Sequence, residues 1–211
     1  MFRIKLAMIV GGGFIAFMGY EQFKVSSGTT AEPVSVSLAD LEAGKIPDNA
    51  HLNIGEHIAL HGAAVYEYEQ AEHQTGDPGP NAKVNHCYYP IFSTEHPLFA
   101  AEEETAGDDD FAVLVKTQVF KTVGSIPDDF ATVGSVKGLV INSISSLDAE
   151  ETNLVKQSFP GANLDKVLIL EQNREPASIV KSGGMMGGGA LLSLVGLGLF
   201  FVGKKAGTAA V

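Results

Sequence analysis

Four side chains offer this chain its most reactive chemistry: His57, His61, His86 and Cys87. Two imidazoles four residues apart share one metal easily on a helix. On a strand they point the same way but stand roughly 13 Å apart, too far to hold a single ion. The local pattern favours the strand. In HIALHGAAVYEYE, the residues Ile58, Leu60, Ala64, Tyr66 and Tyr68 fall on one face, and His57, His61, Glu67 and Glu69 on the other. That period of two predicts a half-buried strand from His57 to Glu69, with both histidines on its solvated face. Glu56-His57 is also the wrong order for the zinc-protease His-Glu-x-x-His signature.

His86-Cys87 lies beside Tyr88-Tyr89 in a second expected strand, Val84 to Ser93, in which Pro90 implies an edge or a bulge. Adjacent strand residues face opposite ways, so His86 and Cys87 do not form a base–nucleophile pair. Cys87, Tyr89 and Ile91 are expected in the core. Glu102-Glu103-Glu104 and Asp108-Asp109-Asp110 lack the spaced ligands of a calcium loop and read as a solvated acidic loop. The chain contains no nucleophile elbow, no Walker loop and no dinucleotide fingerprint. The sequence therefore predicts a non-catalytic protein without metal or cofactor. The alternatives are a membrane-tethered enzyme or metal binder using His57, His61, His86 and Cys87, or a small-ligand sensor with an apolar cavity.

The elements that position these residues begin with two apolar runs at the ends of a 211-residue chain. Met185–Gly203 carries no charge and reaches roughly 28 Å as a helix, close to the hydrocarbon thickness of a bilayer. Leu6–Tyr20 follows Arg3 and Lys5 in the manner of a secretory signal. It is expected to stay as an anchor, with cleavage near Val25-Ser26-Ser27 as the alternative. The expected organisation is an N-terminal span in 1–24, an extracytoplasmic domain in 25–182, a C-terminal span in 183–205 and a short cytoplasmic tail in 206–211. Glu21–Ser182 holds all 25 acidic residues and 10 of the 14 Lys and Arg, a net −15. Such a domain repels phosphate, which argues against nucleic-acid binding. A single cysteine excludes an intramolecular disulfide.

Small residues recur within the apolar runs. Gly183-x3-Gly187, Gly184-x3-Gly188 and Gly189-x3-Ser193 lie in one, and Gly12-x3-Ala16 in the other. Such pairs let membrane helices approach closely, so Gly12, Ala16, Gly183, Gly184, Gly187 and Gly188 are the expected helix-packing residues. The expected partners are the membrane, and either a membrane protein or a second copy bound through these glycines.

Between the spans, Ser37-Leu38-Ala39-Asp40 fits a capping box for a short helix, Leu38 to Ala43, ended by Gly44 and Pro47. Phe111–Val123 alternates with Phe111, Val113, Val115, Val119 and Val123 on one face. Gly134–Ile144 is a strand that Gly138 should bulge or bend. Ser145-Ser146-Leu147-Asp148 opens a second short helix, with Leu147, Leu154, Val155 and Ser158 on its stripe, and Lys166–Glu171 is a strand buried on both faces. About five strands and two short helices predict an α+β domain, mainly β: a small twisted sheet or an OB-like barrel between two transmembrane helices. Two spans flanking one β-rich domain resemble the layout of the Surf-type assembly factors of haem–copper oxidases. Where that family has a strand ending in Val-Asn-Arg-Gly-Trp, this chain has Val113-Leu114-Val115-Lys116-Thr117 and no tryptophan. The resemblance is one of layout and gives no residue a role. Cations near the spans, Arg3, Lys5, Lys204 and Lys205 against Lys24, Arg174 and Lys181, place both termini in the cytoplasm, of a bacterial inner membrane.

Overall fold

The computed structural model describes residues 2–69, 76–99, 110–142 and 149–205. Two compact units emerge: Met1–Ala31 with Pro176–Val211, and Glu32–Glu175. The first holds helices α1 (Phe2–Ser27) and α4 (Ile179–Lys205). Both are longer than the apolar runs that seeded them. Helix α1 continues through Val25-Ser26-Ser27, the stretch named above as the alternative cleavage site, and Ser26 Oγ lies 2.8 Å from Gln22 O. By length and composition each helix is capable of crossing a membrane.

The second unit is α+β. Among the described residues, nine strands form one curled sheet, a half-barrel. In chain order they are β1 (Val34–Val36), β2 (His51–Ile54), β3 (His57–Leu60), β4 (Val65–Tyr68), β5 (Val84–Phe92), β6 (Val113–Thr117), β7 (Phe130–Val133), β8 (Val136–Val140) and β9 (Leu168–Gln172). The spatial order is β1-β2-β8-β9-β6-β5-β3-β7, with β4 also on β5. Strand β9 runs parallel to β6 and antiparallel to β8. The strand count exceeds the expected five because tertiary pairing picks out short segments that lack a long alternating pattern.

Helix α2 (Leu38–Glu42) starts where the capping box placed it, with Asp40 N donating to Ser37 Oγ at 3.1 Å. Gly44, at φ 77°, takes the left-handed conformation that follows the helix. Leu38 and Leu41 of α2 pack on one face of the sheet with Ile54, Cys87, Tyr89, Ile91, Val113 and Val115. The opposite face carries Tyr88, Phe92, Leu114 and Ile169 under Val155 and Phe159. Val155 belongs to helix α3 (Ala149–Ser158). The expected cap of this helix, Ser145 to Asp148, and its stripe residue Leu147 lie outside the described residues. So do Glu102–Glu104, Asp108 and Asp109.

Burial on both faces corrects two readings of alternation. In β6, Val113 to Thr117 are all buried, Lys116 included, and the strand ends before Val119, which is exposed. Lys116 is accommodated because its ammonium pairs with Glu151 of α3, which also accepts from Tyr88 Oη at 2.8 Å. The single strand expected from His57 to Glu69 is broken by a 3₁₀ turn at His61–Ala63 into β3 and β4. Both halves pair with the same side of β5, β4 against its first half and β3 against its end. Pro90 falls at the changeover, where that side has no continuous ladder to break, so it sits in a central strand rather than at an edge.

Gly138 does not bulge β8. It stays in register with Leu52 on one side and Gln172 on the other. A Cβ there would collide with the carbonyl of Glu171, so glycine is required by the approach of β9's backbone. Gly138→Ala should therefore destabilise the domain by about 1–3 kcal/mol, the usual cost of overpacking where backbone is the obstacle. The measurement is the urea midpoint of the full chain in detergent, and an unchanged midpoint would refute the close approach.

Candidate functional site

Helices α1 and α4 form an antiparallel pair. Lys5 Nζ donates to Leu199 O at 2.5 Å near one end, and Ser26 Oγ donates to Ala177 O at 2.5 Å near the other. Between them, Ser193 Oγ donates to Ile9 O at 3.0 Å. The contact residues step by four and three along both chains: Ile9, Gly12, Ala16 and Gly19 on α1, and Met186, Gly189, Ser193 and Gly196 on α4. This is the seam spacing of packed helices. A Cβ at Gly12 would strike Gly189 O and Ser193, and one at Gly189 would strike Ala16 and Gly12 O. Gly12 and Ala16 thus lie in the seam. Gly183, Gly184, Gly187 and Gly188 do not, since an added Cβ at any of them meets nothing within 4 Å. Within this chain the small-residue pair that packs on α4 is Gly189-x3-Ser193, because a helix presents only one stripe to its neighbour.

The four reactive side chains separate. His86 stands on the outer face of the sheet, 2.7 Å from Gln118 Nε2 and 3.5 Å from Glu67. Cys87 points the other way into the core, and burial pushes its thiol up to about 12. The reading of His57 and His61 as solvated is corrected. They are 1% and 8% exposed. The curl of the sheet turns the histidine face of β3 inward, which a strand read in isolation cannot reveal. His57 Nδ1 donates to Gly55 O at 2.7 Å, and His61 lies 4.7 Å from the Tyr89 ring and 5.6 Å from Phe120. The Nδ1 atom of His61 is buried without a hydrogen-bond partner among the described residues. Burial depresses the pKa of both imidazoles, and for His61 the neighbouring His57 adds to this. Tyr89 is pushed up by burial and then by Cys87. Among the described residues, no three His, Cys, Asp or Glu are placed to hold a metal.

A cleft of about 970 Å³ opens elsewhere in the domain, beside the end of α2 and the starts of β6 and β9. Its apolar lining includes Leu41, Ile46, Phe111 and Leu168, of which Ile46 is 57% exposed. Its charged lining is Glu42, Asp110, Asp165 and Lys166. Glu42 is engaged, accepting from Ser93 N at 2.8 Å and Ser93 Oγ at 2.5 Å. His96 also lines the cleft, 8% exposed and packed against Phe92 in a tilted arrangement with ring centroids 4.8 Å apart. Its Nδ1 accepts from Leu98 N at 3.2 Å, which assigns the proton of the neutral ring to Nε2. Sequence reading missed His96 because it follows β5 in a segment with loop composition, and loop burial leaves no periodic trace.

No protein-family model, curated protein or solved structure matches this chain. The cleft and the helix seam are therefore read from their own chemistry.

Proposed function

We propose that this chain is a membrane-anchored, non-catalytic accessory or assembly protein whose acidic domain lies outside the cytoplasm and binds another protein. The observation that supports it best is the antiparallel pair of apolar helices. Such a pair carries the chain out of a bilayer at Ser27 and back in at Ile179 on the same side. Arg3, Lys5, Lys204 and Lys205 on the termini side, against Lys24, Arg174 and Lys181 on the domain side, support the reading in which both termini are cytoplasmic under the positive-inside rule, with a bacterial inner membrane as the membrane of this proposal. The alternative of an enzyme or metal binder built on His57, His61, His86 and Cys87 gains nothing from a geometry that sends His86 and Cys87 to opposite faces of β5.

Topology is tested by cysteines introduced at Ala31 and Thr208. The native thiol of Cys87 is buried with a raised pKa and should stay silent in the folded protein. An impermeant maleimide should label position 31 in intact cells and miss position 208. The reverse pattern would put the domain in the cytoplasm. Affinity purification from gently solubilised membranes tests the binding role, and repeated recovery of the chain alone would count against it.

A further inference from the structure

We propose that β3, the 3₁₀ turn after it and β7 form an acid-operated gate in the half-barrel, shut while His57 and His61 are neutral and opened when they take up protons. The device goes beyond the accessory role above and does not depend on which side of a membrane the domain occupies. This corner of the sheet is lightly held. Among the described residues β7 pairs only with β3, and β3 meets β5 in register only where Ile58 faces Phe92 and Ala59 faces Ile91. The turn at His61–Ala63 then breaks the strand. A Cβ at Gly62 of that turn would stand 2.9 Å from the carbonyl oxygen of Asp128. The loop before β7 therefore rests on the turn, and the two have to move together.

Both imidazoles lie at this corner with nothing to receive a charge. His61 is more than nine-tenths buried, its ring is set against Tyr89 and Phe120, and its Nδ1 has no hydrogen-bond partner among the described residues. A second proton on that ring leaves a charged N–H unpaired among aromatic rings. His57 acts on His61, and two imidazoliums repel. From β5 the turn meets Tyr89 and, two residues away on the same face, Cys87, both held neutral by burial. Strand β7 carries no titratable side chain and sets Val133 opposite His57. The segment after β6 brings Phe120, next to the exposed Lys121, and the loop before β7 brings the exposed Asp128 and Asp129. Beside His57, Glu56 is exposed, and the Gly55 carbonyl is already taken by Nδ1. Burial keeps both imidazoles below the ordinary histidine value, so the closed corner refuses protons that the opened corner accepts. An outward swing of the turn hydrates His61 and uncovers Tyr89 and Cys87.

The test follows the full chain in detergent by hydrogen–deuterium exchange at about pH 7.5 and about pH 5.5, on either side of the ordinary histidine value. Where opened rings titrate normally and closed rings stay neutral, each histidine raises the opening equilibrium ~10-fold over this interval, and two raise it ~100-fold. Protection factors in β3, the 3₁₀ turn and β7 should therefore fall by ~10-fold to ~100-fold, while those in β6 and β9 hold within about threefold. Cys87, compared at each pH with the urea-unfolded chain, should gain reactivity toward a dithiodipyridine in parallel. His57→Gln with His61→Phe should abolish both responses, and His61→Phe alone should reduce them to ~10-fold or less. His86→Gln removes an imidazole from the outer face and should respond as wild type. Equal loss of protection in β3, β7, β6 and β9 would mean general acid unfolding and overturn the gate. So would unchanged protection in β3 and β7 at the lower pH, a full response in the double variant, or its loss in His86→Gln. The comparison of strands uses the wild-type protein alone, so it decides the matter even where a variant fails to fold.

Discussion

Acidification below about pH 6.5 should lower the urea midpoint of the full-length protein in detergent, and the histidines inside the half-barrel should be the cause. Burial holds His57 and His61 below the ordinary histidine pKa of 6.5. The unfolded chain therefore takes up protons that the folded chain refuses. Stability is fully present above the unfolded value and is lost as pH falls through 6.5 toward the depressed folded values. Each extra proton bound by the unfolded state contributes a slope of about 1.4 kcal/mol per pH unit, and two histidines titrating together approach twice that. Among the described residues no acidic side chain acts on their rings to offset the charge: His61 faces Tyr89 and Phe120, and His57 is held by the Gly55 carbonyl. The informative window lies above about pH 5, before surface carboxylates take up protons. His57→Gln with His61→Phe should flatten the profile there. A double variant whose pH profile superimposes on wild type would show that the acid sensitivity arises elsewhere.

Gly189→Leu should separate α1 from α4, whereas Gly187→Leu, two residues away, should not. At position 189 the new side chain has to occupy space held by Ala16 and the Gly12 carbonyl. At 187 it meets nothing within 4 Å. Leucine is the better helix former by about 0.8–1 kcal/mol, so helix propensity alone would make both substitutions favourable. A loss at 189 therefore measures the seam, and overpacking of this kind costs about 1–3 kcal/mol. The readout is oxidative crosslinking between cysteines placed at Ile9 and Ser193, which are in contact through the Ser193 hydroxyl. Crosslinking should collapse in the Gly189→Leu background and persist with Gly187→Leu. Loss in both, or in the 187 background alone, would move the seam onto the stripe of Gly183, Gly184, Gly187 and Gly188.

These two experiments bear on places where sequence and structure differ most. Alternation identified β3 and β4 but gave the histidines the wrong environment, because a period of two says which residues share a face and not which face is covered. Small-residue spacing singled out Gly12 and Ala16, and within this chain both lie against α4. On α4 it offered three candidate stripes, and the one that packs is set by the rotation of one helix against the other. Pro90 read as an edge signal, and the broken pairing of β3 and β4 along β5 made room for it in a central strand. The cleft was illegible for a simpler reason. Leu41, His96, Asp110, Asp165 and Lys166 come from separate segments, and no local pattern joins them.

By itself, the sequence determined what depends on neighbours along the chain. The apolar runs made α1 and α4, Ser37 and Asp40 set the start of α2, and alternation around Cys87 separated it from His86. The acidic excess is likewise a property of composition. Tertiary structure alone decided the rest. It joined nine short strands into a curled sheet whose two faces are both covered, so Lys116 lies buried against Glu151 and His57 lies inside. It required glycine at 138 and at 189, where another backbone passes too near for a Cβ. The physical reason is the range of the forces. Capping, helix propensity and strand alternation act over a few residues, whereas burial and steric exclusion are fixed only when distant segments meet.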